Sequence, residues 1–205
     1  MQRLRDGVRK FRSRIFPARR ELFSQLAAQQ NPDTLFITCA DSRIVPSLIT
    51  HTGPGELFIE RNPGNIIPAY GHESAGELAS IEYAVAGLGV KHIVVCGHTD
   101  CGAMRGVLHP EKVTSMPAVA RWLALLAPLR EQIDELHPNA SEAERMRYIT
   151  ELNVRTQVAN LRHHPSVAAR LADGSVDIHG WIYEIEHGRM LAMDPETGEF
   201  RLWPE

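Results

Sequence analysis

Residues 96–101 read Cys-Gly-His-Thr-Asp-Cys and bring two thiols, an imidazole and a carboxylate into one short stretch. His98 and Cys101 are three positions apart at a predicted strand-to-helix turn, and this spacing lets both side chains bind one metal ion. Thiolate and imidazole ligands favour zinc over magnesium or calcium, which prefer oxygen ligands. Cys96 lies inside an apolar run and is predicted to pack as a small hydrophobic residue. Gly97 is predicted to let the chain turn, so the stretch supplies two ligands of a site that needs at least one more.

Three short segments rich in β-branched and aromatic residues are predicted to form the strands that position this site. They are Thr34–Thr38, Glu56–Arg61 and His92–Cys96. The third is apolar at consecutive positions, which is typical of a strand buried in a parallel sheet between layers of helices. In such sheets ligands bind beyond the carboxyl ends of the strands, where the strand order reverses. If the second and third strands flank the first, the carboxyl ends of the first and third lie side by side.

A third ligand is available at Cys39, directly after the first predicted strand. There it would lie beside His98, and Cys101 would complete a set of two thiolates and one imidazole. Three protein ligands leave a fourth position open, as in catalytic zinc sites, whereas structural zinc sites use four. Asp41 and Arg43 follow at the same strand end and could pair, with the carboxylate facing the ion. The alternative is a solvated turn in which an aspartate or serine caps a helix, and spacing alone does not decide between the two.

The pattern of apolar residues predicts helices around this sheet. They are expected over residues 72–86, over 115–135 with a potential break at Pro128, and from a capping box at Ser141 to a stop at Pro165.

The end of the chain adds a predicted β-hairpin over residues 176–193, with a two-residue turn at 187–188 and an antiparallel contribution to the sheet. No repeat or linker divides the sequence. We therefore expect a single α/β domain over residues 1–205, with a mostly parallel sheet flanked by helices and a helical arm over residues 1–30.

The arm is strongly basic. Residues 1–20 carry eight Arg and Lys against Asp6, a net charge of +7, so the remaining residues carry −10 and the total is −3. Apolar residues recur in the arm at helical spacing: Leu4, Val8, Phe11 and Ile15. Such a helix is predicted to lie on an acidic surface of the body or of a second subunit. A mitochondrial presequence and a nucleic-acid-binding arm are the less favoured alternatives.

The composition narrows the function classes. Three cysteines without a recognisable secretory leader favour reduced thiols and a cytoplasmic protein. No apolar run approaches the ~20 residues that cross a bilayer. There is no Walker motif, no G-x-G-x-x-G after a strand and no C-x-x-C, so nucleotide-binding and thiol-redox roles lack support. Neither a membrane nor a nucleic acid is expected as a partner.

The order of the candidate residues resembles one known family. C-x-D-x-R at Cys39, Asp41 and Arg43, followed by H-x-x-C at His98 and Cys101, is similar to the β-class carbonic anhydrases. Further similar segments follow the family's order over nearly the whole chain: Glu56–Phe58, Arg61-Asn62, Gly64-Asn65, Ser80–Ala84 and His179–Trp181.

The resemblance also indicates a subclass. Three residues before the first cysteine, where one subclass has a Trp that helps form a regulatory bicarbonate site, this chain has Phe36. The chain therefore resembles the plant-like, constitutively open subclass, and most of all the bacterial enzymes associated with cyanate degradation.

The resemblance implies a zinc enzyme with one ion per subunit and a specific set of site residues. The ligands would be Cys39, His98 and Cys101, the catalytic dyad Asp41 and Arg43, and the substrate-binding residues Gln30, Phe58, Tyr83 and Gly102. The reaction would be reversible hydration of carbon dioxide to bicarbonate and a proton by zinc-bound hydroxide. A homodimer or higher even oligomer is also implied, with the active site at the subunit interface and the N-terminal helices embracing the partner.

Elementary chemistry adds two expectations. Two thiolates cancel the formal charge of the ion, so its water should be less acidic than in a three-histidine site, where the pKa is about 7. We therefore expect activity to rise into the alkaline range. Arg43 would hold the Asp41 carboxylate off the open coordination position while leaving one oxygen to accept a hydrogen bond. Two alternatives stay open: a carbon disulfide or carbonyl sulfide hydrolase on the same zinc site, and a zinc-binding relative without turnover.

Overall fold

The central sheet forms from the segments in which β-branched and aromatic residues are concentrated. In the computed structural model, which describes residues 1–71 and 75–203, the strands are β1 (Thr34–Cys39), β2 (Leu57–Asn62), β3 (His92–His98), β4 (Asp177–Glu184), β5 (Arg189–Met193) and β6 (Phe200–Leu202). Their order is β2-β1-β3-β4-β5-β6. The first four strands in this order are parallel, and β5 and β6 are antiparallel. The predicted α/β class, with β2 and β3 on opposite sides of β1, is confirmed.

The register of the three predicted strands brings their carboxyl ends together. Cys39 pairs with Asn62 across β1 and β2, while Thr38 pairs with Cys96 across β1 and β3. His98 therefore ends β3 next to the end of β1, as the strand order requires.

The C-terminal hairpin differs from the prediction in two respects. β4 pairs in parallel with β3, so only β5 and β6 form the antiparallel part of the sheet. The turn between the paired residues Glu184 and Arg189 has four residues, ending at Gly188 in the left-handed region with φ 62°. β6 was not predicted, because its three residues are too few for a period-two pattern to be recognised.

The helices surround this sheet. They are α1 (Gln2–Lys10), α2 (Phe16–Ala18), α3 (Arg20–Ala28), α4 (Pro46–Ile49), α5 (Ala75–Glu82), α6 (Gly102–Leu108), α7 (Pro117–Leu123), α8 (Ala127–Leu136), α9 (Glu142–Arg162) and α10 (Pro165–Ala172). Shorter π-helical segments (Phe11–Ile15, Tyr83–Gly87) and 3₁₀ turns (Pro110–Val113, Ala124–Leu126) continue or join them. Of the helix predicted over 72–86, residues 72–74 lie outside the described part of the chain. The predicted break near Pro128 is the 3₁₀ turn between α7 and α8.

The longest helix, α9, begins as the capping box predicts. The Ser141 side chain accepts from the Glu144 N–H, and the Glu144 carboxylate accepts from the Ser141 N–H. The helix ends at Arg162, and Pro165 starts α10 rather than only terminating its predecessor.

The main core lies between α9 and one face of the sheet. Val154 and Val158 of α9 pack with Leu35, Ile93 and Val95, all of them buried. A second apolar cluster, formed by α6 to α9, surrounds the carboxyl end of β1. The rigid layers therefore meet at the end of the sheet where the candidate ligands lie.

Gly97 does not have the predicted role. It lies within β3, and a Cβ there would stand 2.8 Å from the Val154 Cγ2 of α9. Glycine at this position lets helix and strand approach closely. The chain turns instead at Thr99-Asp100, where Asp100 adopts a left-handed conformation with φ 54°.

The N-terminal arm is helical over most of its length, and none of the residues in α1, α2 and α3 is buried. Leu4 is 66% and Val8 59% exposed, so these apolar side chains do not lie on the body of their own chain. The rings of Phe11, Phe16 and Phe23 contact one another within the arm. No helix in the described parts of the chain is long and apolar enough to cross a membrane.

Candidate metal centre

Three potential ligands converge at the carboxyl end of the sheet. Cys39 ends β1, His98 ends β3, and Cys101 is the residue that precedes α6. All three are buried, and their ligand atoms lie within 4.8 Å of one another. The two sulfur atoms are 3.8 Å apart. The arrangement matches the donor set and the closeness that a single zinc ion requires.

The hydrogen bonds of His98 leave one ring nitrogen for a metal. Its Nδ1 lies 2.8 Å from the carbonyl oxygen of Thr99, which makes Nδ1 the protonated nitrogen. Its Nε2 is buried and has no hydrogen-bond partner among the residues that the structure describes. An unpaired buried nitrogen is costly, whereas a metal ion would satisfy it, and ligating histidines commonly donate their other nitrogen to a carbonyl in this way.

The two thiols are not equivalent. The contact with the Cys101 thiol is the main cause that lowers the pKa of Cys39 to about 4, while the same contact and burial raise the pKa of Cys101. The Gly64 N–H also donates to the Cys39 sulfur, at 3.3 Å. Gly64 has φ 84°, and a Cβ there would stand 3.0 Å from the Ala103 Cβ, so glycine allows this donor to approach. These contacts favour the thiolate form of Cys39, which is the form that binds a metal ion.

Cys96 does not belong to this group. It is fully buried on the sheet face that also carries Phe36 and Val94. Burial raises the pKa of its thiol to about 12, which keeps it protonated. Its environment agrees with the predicted packing role.

Asp41 and Arg43 form the expected pair next to the ligands. Arg43 donates from Nε to Asp41 Oδ1 at 3.0 Å and from Nη2 to Oδ2 at 2.8 Å. Asp41 Oδ2 lies 3.9 Å from His98 Nε2, so the carboxylate faces the candidate metal position. The Arg43 hydrogen bonds hold the pKa of Asp41 well below its usual range.

The alternative interpretation of this segment is correct in part. Asp41 Oδ1 also accepts from the Arg43 backbone N–H, which closes a local turn. It caps no helix, because α4 begins at Pro46 after Val45. The Asp41 carboxylate thus accepts hydrogen bonds both from the backbone of the turn and from the Arg43 guanidinium.

Sequence reasoning missed the residues that hold the backbone around these side chains. Arg61 was noted only as part of the family pattern, yet it donates to the carbonyl oxygens of Cys39 and Asp41. Its position near the end of β2, beside the end of β1, is the signal that could have identified it.

A row of amide side chains on α9 forms hydrogen bonds with the backbone of the segment that contains Gly64 and Ile67. Asn153 donates to the Gly64 carbonyl, Gln157 accepts from the Ile67 N–H, and Asn160 donates to the Ile67 carbonyl. Gln157 also donates to Asn153. The spacing of these amides, at i, i+4 and i+7, places them on one side of the helix and could have indicated a buried polar row.

The predicted substrate-binding residues divide between the two ends of the sheet. Gln30 donates to the Tyr83 hydroxyl at 3.4 Å, and the Phe58 and Tyr83 rings are 5.9 Å apart. Phe58 pairs with Leu35 near the start of β1.

Leu35 and Cys39 are separated by about 13 Å of strand, at about 3.3 Å per residue. The structure therefore does not bring Gln30, Phe58 and Tyr83 to the metal-ligand group of the same chain. Gly102 does lie there, as the first residue of α6 directly after Cys101.

Comparison with known proteins identifies the family. The family model described as carbonic anhydrase matches residues 34–190. The chain belongs to the carbonic anhydrase family. Its curated relatives include a carbonic anhydrase of Pseudomonas aeruginosa, 48% identical over 98% of this chain and 90% of the relative. Carbonic anhydrase 1 of Escherichia coli O157:H7 is 46% identical over 98% of this chain and 91% of the relative.

Solved structures assign this carbonic anhydrase to the β class. The β-carbonic anhydrase CcaA superposes with a TM-score of 0.95, at 41% identity and with 99% of each chain covered. A β-carbonic anhydrase from Sordaria macrospora, described as tetrameric, has a TM-score of 0.84 at 31% identity, covering 94% of this chain and 95% of that one. The predicted β-class fold and enzyme type are confirmed.

Proposed function

We propose that this carbonic anhydrase catalyses the reversible hydration of carbon dioxide to bicarbonate and a proton, with one zinc ion per subunit held by Cys39, His98 and Cys101. The observation that carries the proposal is the buried set of two sulfurs and an unpartnered imidazole Nε2, all within 4.8 Å. When bound, zinc would supply the acidity that makes a water molecule nucleophilic at moderate pH.

The Asp41–Arg43 pair is proposed to control what can occupy the open side of the site. A free carboxylate 3.9 Å from His98 Nε2 could itself become a ligand. Arg43 binds both carboxylate oxygens, at 3.0 and 2.8 Å, and thereby holds the group back. Oδ1 accepts two hydrogen bonds from Arg43, whereas Oδ2 accepts one and retains a lone pair, so Oδ2 can accept a hydrogen bond from the reacting oxygen and orient it.

The substrate pocket is proposed to form between two copies of the chain. Gln30, Phe58 and Tyr83 contact one another but lie at the opposite end of β1 from Cys39. A partner subunit could bring its own three residues to the metal centre, with Gly102 lining the pocket beside Cys101. Exposed apolar side chains on α1 support an association through the arm. We therefore propose a homodimer or a higher even oligomer, which acts in the cytoplasm on carbon dioxide and bicarbonate.

The decisive experiment combines zinc stoichiometry with stopped-flow hydration of carbon dioxide. The wild type should bind one zinc per subunit and turn over, and Cys39→Ser should lose both properties because it removes one of three ligands. Cys96→Ala is the matched control, since Cys96 is buried but outside the ligand group. Zinc and activity retained in Cys39→Ser would refute the assignment. Turnover of carbon disulfide or carbonyl sulfide in place of carbon dioxide would favour the hydrolase alternative.

A further inference from the structure

Arg61 connects the end of β2 to the chain segment that carries both Cys39 and Asp41. Its Nε and Nη2 donate to the Cys39 carbonyl oxygen at 3.1 and 2.9 Å. Its Nη2 also donates to the Asp41 carbonyl oxygen at 2.7 Å. The guanidinium therefore binds the main chain of a candidate ligand and of a candidate catalytic residue at once.

The two carbonyls lie where the chain leaves the sheet. The pairing of β1 with β3 ends at Thr38, and the segment after Cys39 has no strand neighbour on that side. Backbone hydrogen bonds from Ala40 to Asn62 and from Ile44 to Asp41 reach the same two peptide groups, and the Arg61 donors add a side-chain link that joins them. Arginine suits the task, because its planar group presents several N–H donors in a fixed geometry, whereas the lysine ammonium is a point charge on a flexible stem.

We propose that Arg61 is a positioning residue that sets the directions of the Cys39 sulfur and the Asp41 carboxylate. The orientation of a peptide carbonyl fixes the backbone ψ of its own residue, and with it the path of the chain on either side of the Cα. Three hydrogen bonds to two carbonyls two residues apart therefore fix the relative placement of both side chains. The inference rests on the proposed function, since it assigns Arg61 a role in the same zinc site.

The role differs from that of Arg43. Arg43 binds the carboxylate of Asp41 and also donates to the Asp100 carbonyl oxygen, so its loss frees that carboxylate and one backbone contact beside Cys101 but leaves the contacts of Cys39 in place. Arg61 binds only backbone atoms in these contacts, so its loss loosens the metal ligand and the carboxylate together. Zinc affinity should consequently fall more when Arg61 is replaced than when Arg43 is replaced.

The test uses Arg61→Met, which keeps an apolar stem and removes the donors, together with Arg61→Lys. Arg121→Met, at an exposed arginine of α7, is the matched control. Zinc affinity is measured by competition with a chelator, kcat and KM by stopped flow, and ligand geometry from the visible spectrum of the cobalt-substituted protein. We expect Arg61→Met to lose about 10- to 100-fold in zinc affinity and in kcat, as replacement of residues that orient metal ligands commonly does. Arg61→Lys should recover part of both losses, and Arg121→Met should match the wild type.

A purely structural role would lower the unfolding temperature without altering the zinc dissociation constant or the cobalt spectrum, and that result would overturn the proposal. If Arg61→Met does not fold, Arg61→Lys and Arg61→Gln carry the same comparison. A wild type that binds no zinc or does not hydrate carbon dioxide would instead refute the proposed function. Wild-type zinc binding and turnover with unchanged Arg61 variants would refute this inference alone.

Discussion

At the carboxyl ends of β1 and β3 the candidate metal ligands are buried and lie close together, whereas near the amino ends of β1 and β2 the side chains of Gln30 and Tyr83 are exposed. The Cys39 sulfur lies 3.8 Å from that of Cys101 and accepts from a backbone N–H. At the other end, Gln30 and Tyr83 share one hydrogen bond of 3.4 Å, and Tyr83 is 50% exposed.

The difference indicates which half of the active site one chain can build alone. The metal ligands need short, exact distances, and a single set of rigid layers around Cys39 and His98 provides them. The residues expected to contact a small apolar substrate need only form a wall, which a neighbouring subunit can supply. The cluster of Gln30, Phe58 and Tyr83, in which Gln30 and Tyr83 are exposed, is thus interpreted as a surface that one subunit contributes to the site of another.

The largest effect is expected at the carboxyl end. Arg43→Ala should lower kcat by about 100-fold, in the range usual for loss of a positioned proton-transfer partner, because Asp41 is no longer held away from the ion. Zinc content should stay at one per subunit, since no ligand is removed. Stopped-flow hydration and metal analysis on the same preparation check both statements, with Arg43→Lys as a partial rescue. Full activity in Arg43→Ala would remove the dyad from the mechanism.

A smaller effect is expected at the amino end. Gln30→Ala combined with Tyr83→Phe should lower kcat/KM by about 10-fold, since two hydrogen bonds to neutral groups contribute about 0.5 to 1.5 kcal/mol each. Zinc content should not change, because neither Gln30 nor Tyr83 belongs to the candidate ligand group. Tyr83→Phe keeps the ring contact with Phe58, so the fold should be retained.

Mixed oligomers test whether the metal ligands of a site and its Gln30 and Tyr83 side chains come from different subunits. Co-assembly of Cys39→Ser chains with chains carrying the Gln30 and Tyr83 substitutions should give dimers in which one site has only wild-type residues. If the two halves of a site come from different subunits, the mixture should recover about a quarter of wild-type activity. Activity no higher than the mean of the two parents would show that each chain builds its own site.

The sequence predicted the structure correctly where a feature depends on residues that are close together in the chain. The ends of β1 and β3 follow from runs of β-branched residues, and these ends place Cys39 beside His98 without knowledge of other contacts. The capping box at Ser141 likewise depends only on local hydrogen bonds. Such features are encoded within a few residues of the chain.

Features that depend on distant partners were missed or misread. Gly97 was interpreted as a turn residue, although its lack of a side chain serves the approach of Val154. Gln157 is polar and was not assigned to the interior, yet it is fully buried because the loop at Ile67 satisfies it. The proposed role of Tyr83 at the metal centre requires a second copy of the chain, which no pattern within one chain records.

The smallest predicted effect is a pH dependence of the free energy of unfolding, which is expected for a substitution at Asp41 but not for one at Tyr83. Arg43 holds the pKa of Asp41 below its ordinary value of 3.8, so ionised Asp41 stabilises the fold. For a lowered carboxyl pKa, this stabilisation is complete above the unfolded-state value and is lost as pH falls through the folded-state value.

Asp41→Asn should therefore lower the free energy of unfolding of the zinc-free protein by about 1 to 3 kcal/mol at pH 7, as expected for hydrogen bonds to a charged group. The difference from wild type should shrink by about 1 kcal/mol between pH 5 and pH 3, because the unfolded wild-type chain takes up a proton there. Denaturant unfolding at each pH measures it, and Tyr83→Phe should show a difference that is independent of pH. A constant penalty for Asp41→Asn down to pH 3 would mean that Asp41 stabilises the turn by its shape and not by its charge, and the contrast between the two strand ends would then be one of packing alone.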